Sequence, residues 1–168
     1  MKNKAAYLGL LLAFALILSY IEVLLPLQTG IPGVKLGLAN LAVLLCLYLF
    51  TVKEAMLLSL VKAVLTGLLF GNLYMIIYSL AGAVLSCLVM AVMIRLGKWH
   101  VPVVSAMGGV MHNVGQLIIA YLTIQTYGIL YYVPILLIAG LITGLLIGMI
   151  VSLALPYVKK VIERSERV

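Results

Sequence analysis

The sequence predicts an all-α, polytopic membrane protein, and three observations lead to that fold class. Of the 168 residues, 66% are hydrophobic and only 9% are charged, whereas about a quarter of the residues of a soluble domain carry a charge. Long stretches without any charge cover residues 5–21, 36–52, 63–94 and 99–158. A helix crosses the hydrocarbon layer with about 20 residues, and the alternation typical of a β-barrel strand is absent. We therefore expect a single membrane domain over residues 1–168.

Breaks in hydrophobicity divide this domain into six transmembrane helices. Proline, glycine, polar and charged residues cluster at the breaks. The predicted helices cover about residues 5–25, 36–52, 55–70, 73–95, 101–125 and 130–156. The first of them resembles a secretory signal, but no convincing small-x-small cleavage site follows it. We expect it to be retained.

The positions of the cations support six spans. With this number, nine lysines and arginines fall on one side of the membrane and the opposite connections 26–34, 70–73 and 126–129 carry none. The nine are Lys2, Lys4, Lys53, Arg95, Lys98, Lys159, Lys160, Arg164 and Arg167. The positive-inside rule places this side, and both termini, in the cytoplasm. The net charge of +7 therefore sets the orientation, and we exclude nucleic-acid binding, which needs a basic face on a soluble module.

Two helices carry stripes of small residues at intervals of four. Helix 1 has Ala5, Gly9 and Ala13, and helix 6 has Gly140, Gly144 and Gly148. Small residues at this spacing let another backbone approach closely within a membrane. For helix 6 we favour packing inside the monomer. For helix 1, packing inside the monomer and docking of a separate membrane partner are equal alternatives.

Polar side chains within the predicted spans indicate a binding site, because ionisable groups in a bilayer are costly unless they are paired or hydrated. On helix 5, the spacing of His112, Asn113 and Gln116 predicts one shared face. At about 1.5 Å per residue from the cytoplasmic ends, His112 lies about 18 Å deep and Lys62 about 12 Å deep. Thr66 extends the polar stripe of Lys62. We favour contact with a ligand, and a buried hydrogen-bond network between helices 3 and 5 is the alternative.

The stretch GIPGVKLGLAN, residues 30–40, is typical of the mouth of an outward-facing pocket. Irregular backbone at membrane depth is tolerated where it borders a water-filled cavity. Lys35 and Asn40 follow in the first turns of helix 2, and a helix N-terminus attracts anions. A snorkelling lysine beside a plain turn is the alternative. Glu22 can neutralise Lys35 or Lys62, which leaves the other cation for an anionic ligand.

These motifs carry a family resemblance that covers nearly the whole chain. GIPGVKLGLANL in the first outer loop, LLFGN at the end of helix 3 and HNVGQL on helix 5 resemble the Gx transporter family. That family is also labelled heptaprenyl diphosphate synthase component I, and it is similar to the S components of energy-coupling factor (ECF) transporters. The resemblance implies a six-helix, S-component-like protein of the bacterial plasma membrane, which binds a small substrate from outside beneath the first outer loop.

The same resemblance implies partners. Such S components dock, through a small-residue stripe on helix 1, on a transmembrane coupling subunit driven by two cytoplasmic ATPases. The candidate docking residues are Ala5, Gly9 and Ala13, although Gly9 departs from the all-alanine form of the stripe. The candidate substrate-binding residues rest mainly on their depth, and they are Lys35, Asn40, Lys62, Asn72, His112, Asn113, Gln116 and Glu22.

Missing residue types argue against catalysis. Prenyl diphosphate synthases bind magnesium diphosphate through aspartate-rich motifs, because Mg²⁺ needs carboxylate oxygens, and this chain has no aspartate. It also lacks the glycine loop ending in Gly-Lys-Ser/Thr that binds ATP. Cys46 and Cys87 lie in apolar segments and are expected to be core residues without a disulfide or a metal. We expect no enzymatic activity of its own and no cofactor.

The predicted function is that of the substrate-binding membrane subunit of an ECF-type transporter, for uptake of a small, anionic organic solute. A non-catalytic accessory membrane subunit in prenyl diphosphate or quinone metabolism is the first alternative. A stand-alone transporter that needs no ATPase is the second.

Overall fold

The computed structural model describes residues 4–24, 37–125, 131 and 133–166. In these ranges the chain forms six α-helices and no strand. The helices are α1 Lys4–Leu24, α2 Asn40–Leu49, α3 Val52–Phe70, α4 Leu73–Leu96, α5 Val101–Ile124 and α6 Val133–Glu166. The predicted all-α class is thus confirmed for the described residues. By length and composition, α1, α4, α5 and α6 can each cross a membrane, which is the pattern of a multi-pass membrane protein.

The helices pack around the short α2. α3, α4, α5 and α6 form a row of packed neighbours, and α2 packs on both α3 and α6, the two edges of that row. α1 packs on α2 and α3 and is the least buried of the four long apolar helices. Among the described residues, the largest fully buried side chains are Leu44, Cys46, Cys87, Val104 and Val151, from α2, α4, α5 and α6. The prediction that Cys46 and Cys87 are core residues is confirmed, and both are free thiols.

One end of the bundle collects the described cations other than Lys62, and we call it the basic end. Lys4, at the start of α1, forms an ion pair with Glu54 in the first turn of α3. Gly148 of α6 packs on Pro102 at the start of α5, so the last turns of α6 lie at this end as well. Lys4 and the backbone N–H of Thr51 lower the pKa of the Glu54 carboxyl, which lies at the surface outside the apolar spans.

α2 is shorter than the predicted range of 36–52. It begins at Asn40 because Gly37 adopts a positive φ of 68° and residues 37–39 form a turn. It ends at Leu49 because Phe50 is extended and Thr51 forms a capping box with Glu54, which starts α3 three residues earlier than predicted. Ten residues rise only about 15 Å, which is half of a hydrocarbon layer of about 30 Å. The first residue of α2 therefore lies at mid-depth in the bundle.

α6 is longer than predicted and continues through Pro156 to Glu166. A proline removes one hydrogen-bond donor from a helix and kinks it or breaks it, but here the helix continues without interruption. Lys159 and Glu163 follow at a spacing of four, which favours helix through their opposite charges. With 34 residues, α6 is about 51 Å long, so its polar last turns project beyond the apolar span at the basic end.

The two small-residue stripes have different surroundings. On α6, a Cβ atom added to Gly144 would lie 2.6 Å from the Ser105 carbonyl oxygen of α5, and Gly140 and Gly148 approach α5 just as closely. The prediction that this stripe packs inside the monomer is confirmed. The stripe of Ala5, Gly9 and Ala13 on α1 is exposed, and a Cβ on Gly9 would meet no described atom within 4 Å. Within the described residues, the α1 stripe therefore does not serve internal packing.

This difference predicts opposite outcomes for one substitution at two sites. Gly144→Ala will lower the free energy of unfolding by about 1–3 kcal/mol, because the added methyl group collides with the α5 backbone. Gly9→Ala will leave it unchanged or raise it by up to about 1 kcal/mol, because alanine favours helix over glycine. Thermal unfolding of the purified protein in detergent measures both. Equal destabilisation by the two changes would contradict the packing described above.

Candidate substrate-binding site

Two of the predicted site residues meet at mid-depth. Lys62 of α3 donates a hydrogen bond from its ammonium group to the Asn40 side-chain oxygen, at 2.7 Å. Lys62 lies ten residues after the start of α3 and Asn40 nine residues before the end of α2, so both lie about 14–15 Å from the basic end. Only 7% of Lys62 is exposed. A buried ammonium group in an apolar bundle needs such an acceptor, because an unpaired charge there is strongly unfavourable.

A hydroxyl pair lies one helical turn beyond Lys62. Thr66 of α3 donates to the Ser19 hydroxyl of α1 at 3.2 Å, and Ser19 is buried, with 5% exposed. Thr66 belongs to the polar stripe that was predicted for Lys62, whereas Ser19 was not among the predicted site residues. The spacing along the sequence could have identified Ser19, because it precedes Glu22 by three residues and so lies on the same face of α1.

Glu22 reaches the turn that precedes α2. Its carboxylate accepts the backbone N–H of Gly37 at 2.7 Å, and the Gly37 carbonyl in turn accepts the N–H of Asn40 at 2.8 Å. The sequence suggested that Glu22 neutralises Lys35 or Lys62, and the contact that the structure describes for it is the one with Gly37. Lys35 lies outside the described residues, as does the rest of the first outer loop, beneath which the substrate is predicted to bind.

On α5, the predicted polar residues point towards two different neighbours. His112 and Gln116 approach each other at 3.2 Å through their Nε2 atoms, and the His112 ring lies where a side chain on Gly82 of α4 would otherwise be. Asn113 instead donates to the Leu136 carbonyl of α6 at 2.6 Å. The expected shared face is therefore confirmed for His112 and Gln116. It is wrong for Asn113, because the side-chain amide of Asn113 donates a hydrogen bond to the α6 backbone.

Asn72 stands apart from these groups. Its side-chain oxygen accepts the N–H of Met75 at 2.9 Å, which caps α4, and the residue is exposed. Lys62 precedes the end of α3 by eight residues, about 12 Å along the helix axis. The structure thus gives Asn72 a local capping role and does not bring it to Lys62.

The described contacts form two polar groups. The first, which we call the α1–α3 polar group, comprises Ser19, Glu22, Asn40, Lys62 and Thr66, together with the Gly37 backbone. The second comprises His112 and Gln116, at similar depth on α5. Every buried side-chain polar atom in the described residues has a hydrogen-bond partner. A solute that entered would therefore exchange partners with the protein, and a cation at mid-depth favours an anionic one.

Comparison with known proteins identifies one family. A family model described as heptaprenyl diphosphate synthase component I matches residues 11–154. The match covers both polar groups and all of α2 to α5, but it begins after Ala5 and Gly9. No curated protein and no solved structure matches the chain.

The Lys62–Asn40 contact predicts an asymmetric response to substitution. Asn40→Leu removes an acceptor from a buried ammonium group and will lower the free energy of unfolding by about 1–3 kcal/mol. Lys62→Met removes the charge itself and will change it by less, or raise it, because an apolar side chain of similar size replaces a buried charge. The double variant will recover most of the loss. Thermal unfolding in detergent measures all three, and a larger loss in Lys62→Met than in Asn40→Leu would contradict the interpretation.

Proposed function

Because the chain belongs to the family described as heptaprenyl diphosphate synthase component I, we propose for it a non-catalytic role in the membrane. That role is the substrate-binding subunit, or S component, of an ECF-type transporter, for uptake of a small anionic organic solute. In this proposal the basic end faces the bacterial cytoplasm, as the positive-inside rule requires, and the solute enters from the opposite end.

The observation that carries the proposal is the buried ammonium group of Lys62. This residue belongs to α3 and lies beside the start of the half-length helix α2. Helices that begin inside the membrane direct their N-terminal N–H groups and positive dipole ends at anionic groups of substrates. Asn40, the first residue of α2, accepts from Lys62 in the described structure. A carboxylate or phosphate oxygen offers Lys62 a charged acceptor in place of the neutral amide, and hydrogen bonds to charged groups are the stronger ones.

The exposed stripe on α1 supports the proposed partner. The least buried of the long apolar helices, α1, exposes the small residues Ala5, Gly9 and Ala13. Small residues let the backbone of a second membrane helix approach closely, and membrane helices associate in this way. The partner in this proposal is a transmembrane coupling subunit driven by two cytoplasmic ATPases. The ATPases supply the energy, since the sequence carries no phosphate-binding glycine loop.

A second candidate function follows from the family description itself. In that case the chain is a non-catalytic accessory subunit that binds or regulates a separate prenyl diphosphate synthase. The absence of aspartate from the sequence favours an accessory role over catalysis, because diphosphate-bound Mg²⁺ requires carboxylate ligands.

Native mass spectrometry of the protein purified from membranes tests the first candidate. We expect a bound small molecule on the unmodified protein and its loss in Lys62→Ala. The matched control is Lys53→Ala, which removes an exposed lysine from the first turn of the same helix and will retain the molecule. If no solute binds and the protein instead alters the product length of an added prenyl diphosphate synthase, the second candidate is correct.

Co-purification tests the docking surface. Gly9→Leu will abolish co-purification with a co-expressed coupling subunit, because a large side chain prevents close approach of two backbones. The monomer will remain folded, since no described atom lies near Gly9. The matched control is Val84→Leu on the exposed face of α4, which will co-purify normally. Equal retention of both variants would show that the stripe is not the docking surface.

A further inference from the structure

We infer that Glu22 is a positioning residue for the proposed anion site: its carboxylate fixes the turn from which α2 starts and so holds Asn40 against Lys62. The inference rests on the proposed function, because it concerns the geometry of the same site. It assigns to Glu22 a role through the backbone of Gly37 rather than direct contact with the solute.

Three consecutive hydrogen bonds connect α1 to α3 through the start of α2. Glu22 accepts from the Gly37 N–H at 2.7 Å. The Gly37 carbonyl accepts from the Asn40 N–H at 2.8 Å. The Asn40 side chain accepts from Lys62 at 2.7 Å. The side chain that meets the cation is therefore held in place by a backbone turn, and the turn is held by a carboxylate on another helix.

A second contact between the same helices closes this chain into a ring. Ser19 lies one turn before Glu22 on α1, and Thr66 lies one turn after Lys62 on α3, and the two hydroxyls are 3.2 Å apart. A displacement of α1 along or away from α3 must therefore break the hydroxyl pair or pull on the Gly37 turn. Because buried polar atoms without partners are costly, the ring favours one position of α1.

The conformation of the turn depends on Gly37, whose N–H is the group that Glu22 binds. Its φ of 68° lies in the left-handed region, which glycine adopts at little cost and residues with a Cβ atom do not. A Cβ atom at this position would also lie 3.3 Å from the Asn40 side-chain nitrogen. The conformation of Gly37 and the position of the Asn40 amide are thus directly coupled, so a change in the turn moves the group that contacts Lys62.

The chain provides a matched comparison for Glu22. At the basic end, Glu54 accepts the N–H of Thr51 at 2.9 Å and helps to start α3. Both glutamates hold a backbone N–H that precedes a helix. Glu54 acts within its own helix, whereas Glu22 acts on a turn 15 residues further along the chain. Glu54 also pairs with Lys4 of α1, but it does so at the basic end, eight residues or about 12 Å along α3 from Lys62, whereas Glu22 ties α1 to the turn that carries Asn40.

The test uses the full-length protein in detergent and two readouts that need no bound solute. Hydrogen–deuterium exchange followed by mass spectrometry measures the opening of residues 37–41. Acetylation by acetic anhydride at Lys62, relative to the exposed Lys53 on the same helix, measures release of the buried amine. Glu22→Ala and Gly37→Ala will each increase both by about tenfold, because local opening of this turn controls both. Glu54→Ala will leave both unchanged.

Glu22→Gln separates hydrogen bonding from charge. The glutamine side-chain oxygen still accepts the Gly37 N–H, so both readouts will return to within about threefold of the unmodified protein. If Glu22→Gln is as disruptive as Glu22→Ala, the negative charge matters and the positioning role is wrong. If neither Glu22→Ala nor Gly37→Ala changes the readouts, it is wrong as well. If Glu22→Ala fails to fold, Gly37→Ala still tests the positioning role. Both readouts need no solute, so they remain informative even if the protein proves to bind none.

Discussion

An ammonium group buried at mid-depth among apolar helices is the constraint on which much of this structure depends. Lys62 needs an acceptor at its own depth, and side chains reach sideways only a short distance. The short α2 supplies one by beginning at that depth with Asn40. The Gly37 turn, the Glu22 carboxylate and the Ser19–Thr66 pair then follow, since a helix that begins inside a bundle exposes backbone groups that need partners.

The remainder of the bundle supports this polar layer through the packing of apolar side chains. Towards the basic end, α2 is surrounded by apolar side chains of α3, α4, α5 and α6. Glycines on α4 and α6 provide the space into which His112 and Asn113 of α5 fit. Polar contacts hold α1 near both ends, at Lys4 and at Glu22, while its stripe of Ala5, Gly9 and Ala13 is exposed. The helix that contributes Ser19 and Glu22 to the polar layer is thus also the least buried of the four long apolar helices.

Hydropathy and charge predicted the six helices, and the spacing of small residues predicted that α6 packs inside the monomer, although not that α5 is its neighbour. Counting residues from the cytoplasmic ends placed Lys62 and His112 at similar depths, but it did not pair Lys62 with Asn40. Pairing depends on how each helix is rotated about its axis, which is set by close contacts such as Asn113 over Gly140. The true start of α2 was missed because a single positive φ at Gly37 leaves no trace in hydropathy. The continuation of α6 past Pro156 was missed because a proline marks a break in sequence but does not always end a helix.

The half-length of α2 has a consequence for biogenesis. A ten-residue helix spans only about half of the hydrocarbon layer, and α3 carries Lys62, whose charge is costly in lipid unless it is paired or hydrated. α2 and α3 are separated by only Phe50 and Thr51. We therefore expect α2 and α3 to enter the bilayer together, as one helical hairpin.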